Sequence, residues 1–158
     1  AQSETAGFLF KPIGEVRELT DEEAGRLGPV VPPRESEEDV TLKVNAPPAE
    51  LAGVLESVLG AAQRKGLGEP RITGHAATGV TYVGLRGEED ARVEVVEELR
   101  EIWVRRGGSV VVLEASPAFK RRVDVWGSGG DYLGLMRRVK DKFDPRGTMN
   151  PGRFVGGI

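Results

Sequence analysis

The sequence predicts an α+β domain in which two amphipathic helices cover one face of a four-stranded antiparallel sheet. Three observations lead to this prediction. Segments with strand and helix periodicity follow one another as strand, helix, strand, strand, helix, strand between residues 40 and about 116. Each helical segment has a single apolar face, which needs a sheet to bury against. The order itself is that of the split βαβ, ferredoxin-like arrangement.

The spacing of apolar residues changes from that of a strand to that of a helix in the first part of this unit. Apolar and polar residues alternate in VTLKVN, from Val40 onward, which predicts a half-buried strand. Pro47 and Pro48 then favour the start of a helix, and Gly66 and Gly68 end it. The apolar residues between them fall on one helical face: Leu51, Val54, Leu55, Val58, Leu59 and Ala62.

The second half of the unit begins with a hairpin. Two short strands are expected over residues 71–76 and 79–85, joined by a tight turn at 77–79. The stretch EEDARVEVVEELREIWVRRGG predicts the clearest helix, since acids crowd its first turn, arginines its last, and Gly107 ends it. The continuous apolar run in SVVVLEAS, residues 109–116, predicts an interior strand.

The segments on either side of this unit complete a division into three parts. Residues 1–39 are expected to be a linker or the remnant of a preceding segment, with a short strand in GFLFKPI and a short helix in LTDEEAGRL capped by Thr20. Residues 40–116 form the ferredoxin-like unit. Residues 117–158 begin with a flexible glycine-containing turn region. A last helix is then expected from about Asp131 to Phe143, with its apolar stripe at Tyr132, Leu135, Met136, Val139 and Phe143.

Composition excludes several kinds of chemistry. The 158 residues include no cysteine, which excludes disulfides and thiolate catalysis, and His75 is the sole histidine. No apolar run has the roughly 20 residues that a membrane helix needs. The net charge of −3 is unevenly distributed, with nine acids against three bases over 15–39 and nine bases against four acids over 117–158. No sheet face combines the aromatic and basic residues expected for nucleic-acid binding.

The final residues, LMRRVKDKFDPRGTMNPGRFVGGI, combine a helix, a stop at Asp144-Pro145 and two turns. This segment resembles the end of FAD-linked oxidases of the vanillyl-alcohol-oxidase type, where an Asn-Pro-Gly-Lys/Arg signature follows a helix. The arginine and the FVGGI ending are most similar to those of the FAD-binding subunit of bacterial glycolate oxidases. The resemblance implies that Asn150, Gly152 and Arg153 lie beside the flavin.

The resemblance also implies cofactor and partners. FAD would be bound mainly by an N-terminal domain that this chain, which begins at Ala1, lacks. The chain would then be the C-terminal cap domain that covers the flavin, inactive alone, in an FAD-dependent 2-hydroxyacid oxidoreductase that converts glycolate to glyoxylate. Partners would include other glycolate oxidase subunits, one of them an iron–sulfur subunit. The location expected is cytoplasmic, with membrane association through the complex rather than through a transmembrane segment.

The hairpin around His75 is the remaining candidate. In the 2-hydroxyacid dehydrogenase branch of the family, a hairpin with two histidines and an acid binds metal and substrate. GHAATGVTY keeps Gly74, His75 and Gly79, but Tyr82 replaces the second histidine and the acid is absent. The resemblance thus leaves His75 as a substrate-side candidate, implies no metal, and implies that a sister subunit carries out the turnover of hydroxyacid.

A hypothesis of another class stays open at this stage. The same six elements fit a stand-alone ferredoxin-like module that senses a ligand or docks subunits and has no redox role. The reading frame upstream of Ala1 distinguishes the two hypotheses, because only the first requires a glycine-rich flavin-binding domain there.

Overall fold

The computed structural model describes residue 20, residues 31–127 and residues 129–158. The strand expected in GFLFKPI and the helix expected in LTDEEAGRL lie outside the described residues, apart from Thr20. The described part contains four strands and four α-helices. They are β1 (Val40–Asn45), α1 (Leu51–Arg64), β2 (Arg71–His75), β3 (Val80–Leu85), α2 (Glu89–Val104), β4 (Ser109–Glu114), α3 (Pro117–Arg122) and α4 (Leu133–Phe143).

The four strands form one antiparallel sheet in the order β2-β3-β1-β4. Leu42 in β1 lies opposite Val83 in β3 on one side and Val112 in β4 on the other. The first strand thus enters the centre of the sheet, and β3 separates it from β2, with which it runs parallel. This order is that of the split βαβ unit, so the predicted α+β, ferredoxin-like fold is confirmed.

The core lies between the sheet and the two long helices. Its fully buried side chains come from alternate positions of the strands and from one face of each helix. The largest of these are Trp103, Leu42, Leu85 and Leu99, and Phe119 of α3 is fully buried in the same cluster. Burial of an indole requires a partner for its N–H, and Nε1 of Trp103 donates to the hydroxyl of Ser57 at 3.0 Å. This bond links α2 to α1 beneath the sheet.

The prediction that residues 109–116 form an interior strand is wrong, because β4 is an edge strand. Its outer edge is nevertheless covered by the segment that follows α3. The amide of Val112 donates to the carbonyl of Val125 at 2.8 Å, and Nε of Arg100 donates to the carbonyl of Val110 at 3.4 Å. An edge strand whose backbone groups are paired can carry an apolar run that an exposed edge strand would not. For this reason the sequence of β4 resembles that of an interior strand.

The start of the C-terminal part also differs from the prediction. Residues 117–122 form helix α3 rather than a flexible region. The hydroxyl of Ser116 accepts from the amide of Phe119 at 3.2 Å, and Pro117 occupies the first turn, a combination that favours helix initiation. The last helix begins at Leu133 because residues 130–132 form a 3₁₀ turn.

Residues ahead of β1 pack against the hairpin of β2 and β3 through the carboxylate of Asp39. This carboxylate accepts from the amide of Glu35 at 2.8 Å and lies 3.3 Å from Nε of Arg86. Burial raises the pKa of Asp39, but the hydrogen bonds from Glu35 and Ser36 and the charge of Arg86 together lower it below its usual value. Glu35 also forms an ion pair with Arg71 at 2.6 Å, so the charge of this arginine is balanced within the fold.

Two glycines with the same backbone conformation test the packing at the β2–β3 turn. Gly79 and Gly66 both have φ +68°, but a Cβ at Gly79 would overlap the carbonyl of Ala46, whereas one at Gly66 would meet nothing within 4 Å. We expect Gly66→Ala to lower the free energy of unfolding by about 1 kcal/mol through strain alone. Gly79→Ala should cost ~3 kcal/mol or more, because overlap adds to strain. Equal losses in urea denaturation would contradict this account.

Candidate functional site: the C-terminal hook

The C-terminal hook, residues 144–158, folds back on α4 instead of extending away from it. Its first residue, Asp144, is buried and ends the helix. The carboxylate accepts from the amide and the hydroxyl of Thr148, at 2.8 and 3.2 Å, and from the amide of Met149 at 2.8 Å. One side chain thus closes the turn that carries the chain from the helix to Asn150.

Lys140 lies one helical turn before Asp144 and binds both ends of this turn. Its ammonium is 2.7 Å from Oδ2 of Asp144, and it donates to the carbonyl of Met149. The ammonium, followed by the amides of Met149 and Thr148, holds the pKa of Asp144 well below its usual range. The charged form of the carboxylate is therefore the form that the fold stabilises.

The two turns after Met149 give the hook its shape. Asn150 has a positive φ of 45° and Gly152 one of 73°; such a conformation favours asparagine and glycine over other residues. The amide of Arg153 donates to the carbonyl of Asn150 at 3.3 Å. The Asn-Pro-Gly-Arg signature is thus a compact turn with the Arg153 side chain leaving from its end.

The hook and α4 border an open cavity of about 440 Å³. Lys140, Asn150 and Arg153 line it together with Met149, Phe154 and Ile158. Two of the three residues predicted to lie beside a cofactor therefore reach one cavity, and Gly152 shapes the turn between them. Because Lys140 is paired with Asp144, the guanidinium of Arg153 and the amide of Asn150 are the groups that suit an anionic or hydrogen-bond-accepting ligand.

The end of the hook is attached to the edge of the sheet. The rings of Trp126 and Phe154 meet edge to face with centroids 5.0 Å apart, and Nε1 of Trp126 donates to the carbonyl of Arg153 at 3.2 Å. Val155 is buried, and a Cβ at Gly156 would come within 2.5 Å of Leu133. These contacts fix the position of the turn that carries Arg153.

Arg100 is a positioning residue that the sequence did not reveal. It lies on the buried face of α2, where its guanidinium donates to the carbonyls of Val110 and Asp124 and binds Glu97 at 3.0 Å. The segment that carries Trp126 is thereby held against β4. A charge on an otherwise apolar helical face was the available signal, but its partners are backbone groups distant in sequence. Lys140 was also missed, although Asp144, its partner one helical turn later, was a local signal.

His75 lies apart from the hook. It ends β2, the edge strand opposite β4, and its side chain is exposed. Its carbonyl accepts from Gly79 and Thr78 within its own hairpin. The structure thus does not bring His75 together with Asn150 and Arg153, and its role as a substrate-side residue stays a prediction.

The apolar stripe of α4 faces outward. None of the helix's residues is buried, and Tyr132, Leu135, Val139 and Phe143 are 66%, 55%, 49% and 79% exposed. These four residues, named here the α4 stripe, lie on one side of the helix at the predicted spacing. An exposed apolar stripe of this size is the kind of surface that marks interaction sites in proteins.

Two searches of the described residues complete the description of the site. Residues 20, 31–127 and 129–158 contain no group of three or more histidine, cysteine, aspartate or glutamate side chains placed to hold a metal ion. Within the same residues, no helix has the length and apolar character required to cross a bilayer.

Comparison with known families identifies this same segment. Residues 126–154 match the family model for the C-terminal domain of FAD linked oxidases. The match begins at Trp126 and ends at Phe154, the two residues whose rings pack together. It supports a C-terminal domain of an FAD-linked oxidase, and with it a flavoprotein oxidoreductase role. The four strands of the sheet lie outside the matched residues. No curated protein matches the chain.

The role of Asp144 in shaping the hook is testable. We expect Asp144→Ala to accelerate hydrogen exchange at the amides of Thr148 and Met149 by about tenfold or more, because both lose a charged acceptor. Asp141→Ala, a neighbouring acid on the exposed surface of α4, is the matched control and should leave both rates unchanged.

The same carboxylate sets a pH dependence. Because its pKa is lower in the folded chain than in the unfolded one, its contribution to stability is complete above the ordinary aspartate pKa of about 3.9 and is lost as the pH falls below that value. An NMR titration in which the amide shifts of Thr148 and Met149 move with a midpoint near pH 4 would show that Asp144 is an ordinary surface acid.

Proposed function

We propose that this chain is the C-terminal cap domain of the FAD-binding subunit of a glycolate oxidase-type dehydrogenase. The observation that carries the proposal is the hook. The segment that matches the FAD linked oxidase family closes on itself between Trp126 and Phe154 and directs Lys140, Asn150 and Arg153 into one cavity. Asn150 and Arg153, two of the three residues that the resemblance placed beside a flavin, line this cavity, which supports the proposal.

The donors at this cavity fit FAD. Arg153 supplies positive charge and several N–H donors, and Asn150 supplies an amide, while the ammonium of Lys140 is paired with Asp144. The pyrophosphate and the pyrimidine edge of the isoalloxazine present the acceptors that such groups bind. When bound, the flavin supplies the acceptor for the hydride of the 2-hydroxyacid. The chain's own contribution is to orient that group through Arg153 and to exclude water with the aromatic side of the hook.

The α4 stripe is where the N-terminal FAD-binding domain would pack. A covering domain that belongs to the same polypeptide explains why a helix held at both ends exposes Leu135, Val139 and Phe143. The proposal extends to a complex with other subunits, including an iron–sulfur subunit that takes electrons from the flavin. It also extends to a cytoplasmic location and to glycolate as the hydroxyacid that is oxidised to glyoxylate.

Flavin retention by the full-length polypeptide tests this function. Arg153→Ala should weaken FAD binding by about ten- to a hundredfold, because a charged donor is lost from the cavity. Arg146→Ala is the matched control, since it removes an arginine from the same hook but not from the cavity lining. Flavin bound per polypeptide after gel filtration, read from flavin absorbance, is the measurement. Equal flavin content in both variants and the parent would overturn the proposal.

A further inference from the structure

A second cavity lies at the end of the sheet where the last residue of β1 and the first of β4 approach the turn before α4. Its volume is about 660 Å³, which is enough for a side chain or a small ligand. The side chains around it come from the sheet, from the end of α2 and from the 3₁₀ turn: Asn45, Ser109, Val104, Asp131 and Tyr132. Among the described residues that line it, Asp131 alone carries a charge, and we name it the Asp131 cavity.

The carboxylate of Asp131 is not balanced from within the fold. No hydrogen bond or ion pair joins it to the part of the chain that the structure describes. The two arginines that follow α2 are close to the cavity in sequence but are bound elsewhere. Arg105 lies 3.8 Å from Glu101, and Arg106 lies 3.0 Å from Glu50. The Asp131 cavity is therefore negatively charged and open to a cation.

Two further features of the lining favour positive charge. Nδ2 of Asn45 donates to the hydroxyl of Ser109 at 2.9 Å, so the amide is oriented, and its Oδ1 accepts no hydrogen bond from the described residues. Helix α2 ends at the cavity, which is bordered by Val104 and Gly108. The C-terminal end of a helix carries a partial negative charge and attracts cations.

The ring of Tyr132 selects the kind of cation. This residue is 66% exposed, and its ring lies against Gly130, where an added Cβ would come within 3.3 Å of Cε2. An exposed ring next to a carboxylate suits a guanidinium, which is flat, stacks on aromatic faces and binds a carboxylate through two parallel hydrogen bonds. A metal ion would need several acidic or carbonyl ligands, and Asp131 is the single acid among the described lining residues.

We propose that the Asp131 cavity binds the guanidinium of an arginine side chain, with the carboxylate of Asp131 as its counter-ion, the ring of Tyr132 as its stacking surface and Oδ1 of Asn45 as a further acceptor. Tyr132 also belongs to the exposed α4 stripe, so a chain that covers the stripe reaches the cavity. The assignment of this arginine to the covering N-terminal domain rests on the proposed function. The recognition of a guanidinium does not, and it is measurable without flavin.

The first test is a titration of the 158-residue chain with N-acetyl-arginine amide, followed by ¹H–¹⁵N NMR. We expect saturable shifts at the amides of Asp131, Tyr132 and Asn45 with a dissociation constant of about 1 mM. Asp131→Asn should weaken binding at least ~tenfold and Tyr132→Leu about threefold, because each removes one contact of the guanidinium. Asp131→Glu should retain binding. Asp141→Asn, which removes an exposed acid of α4 outside the cavity, is the matched control.

N-acetyl-citrulline amide, a neutral analogue of the same shape, separates charge recognition from shape and should cause no saturable shift. Equal binding of this analogue, full binding by Asp131→Asn, or shifts centred on Glu97 and Glu101 instead of Asp131 would each overturn the inference. None of these results would alter flavin retention through Arg153. Conversely, binding of the arginine amide at Asp131 in a protein whose Arg153→Ala variant keeps its flavin would support this site and refute the proposed cofactor role.

The second test asks whether the arginine comes from the covering domain. In the full-length polypeptide, Asp131→Asn should accelerate hydrogen exchange at the amides of Tyr132 and Leu133 by about fivefold or more, because the 3₁₀ turn loses an ion pair with that domain. Asp141→Asn should leave both rates unchanged. Equal rates in Asp131→Asn and the parent protein would refute the covering domain as the source of the arginine.

Discussion

The buried guanidinium of Arg100 is the interaction on which the arrangement of the C-terminal part depends. A charge with this little solvent contact is tolerated only where its donors are satisfied, and here two backbone carbonyls and Glu97 satisfy them. Those carbonyls belong to β4 and to the segment at Asp124. One side chain therefore joins the second long helix, the edge strand and the connection to the hook. A Cβ at Gly127, which has a positive φ of 72°, would come within 3.3 Å of its Nε.

The position of the hook depends on these contacts of Arg100. Asp124 is held by Arg100, and its carboxylate accepts from the amide of Trp126 at 2.9 Å. The indole then binds the carbonyl of Arg153 and contacts Phe154. The far end of the hook is closed by Lys140 and Asp144. A segment that by length alone would fray is thus constrained at both ends, which is what a binding turn requires in order to present Arg153 in one orientation.

The elements that could be predicted from the sequence are those whose signal is local. Alternation in VTLKVN and the helical spacing in α1 and α2 report burial within single elements, and the order of the elements then allows few topologies. The edge position of β4 could not be predicted from its apolar run. The outer side of this strand is covered by Val125, which lies outside the six elements that the sequence predicted. Ser116 and Pro117 are a local signal for the start of helix α3. The glycines that follow favoured the prediction of a flexible region instead.

The candidate site divides in the same way. Asn150, Gly152 and Arg153 were named from the resemblance of the last residues to a family signature, and the positive φ of Asn150 and Gly152 accounts for those two residue types. Arg100 acts on backbone carbonyls, which carry no sequence signal.

Tyr132 belongs to the exposed α4 stripe and also lines a second cavity, beside Asn45 and Ser109. A domain that packs on the stripe must therefore contact the rim of this second cavity. The same helix carries Lys140, which closes the turn of the hook through Asp144. The position of this one helix therefore governs how close such a domain comes both to the second cavity and to the turn that leads to Arg153.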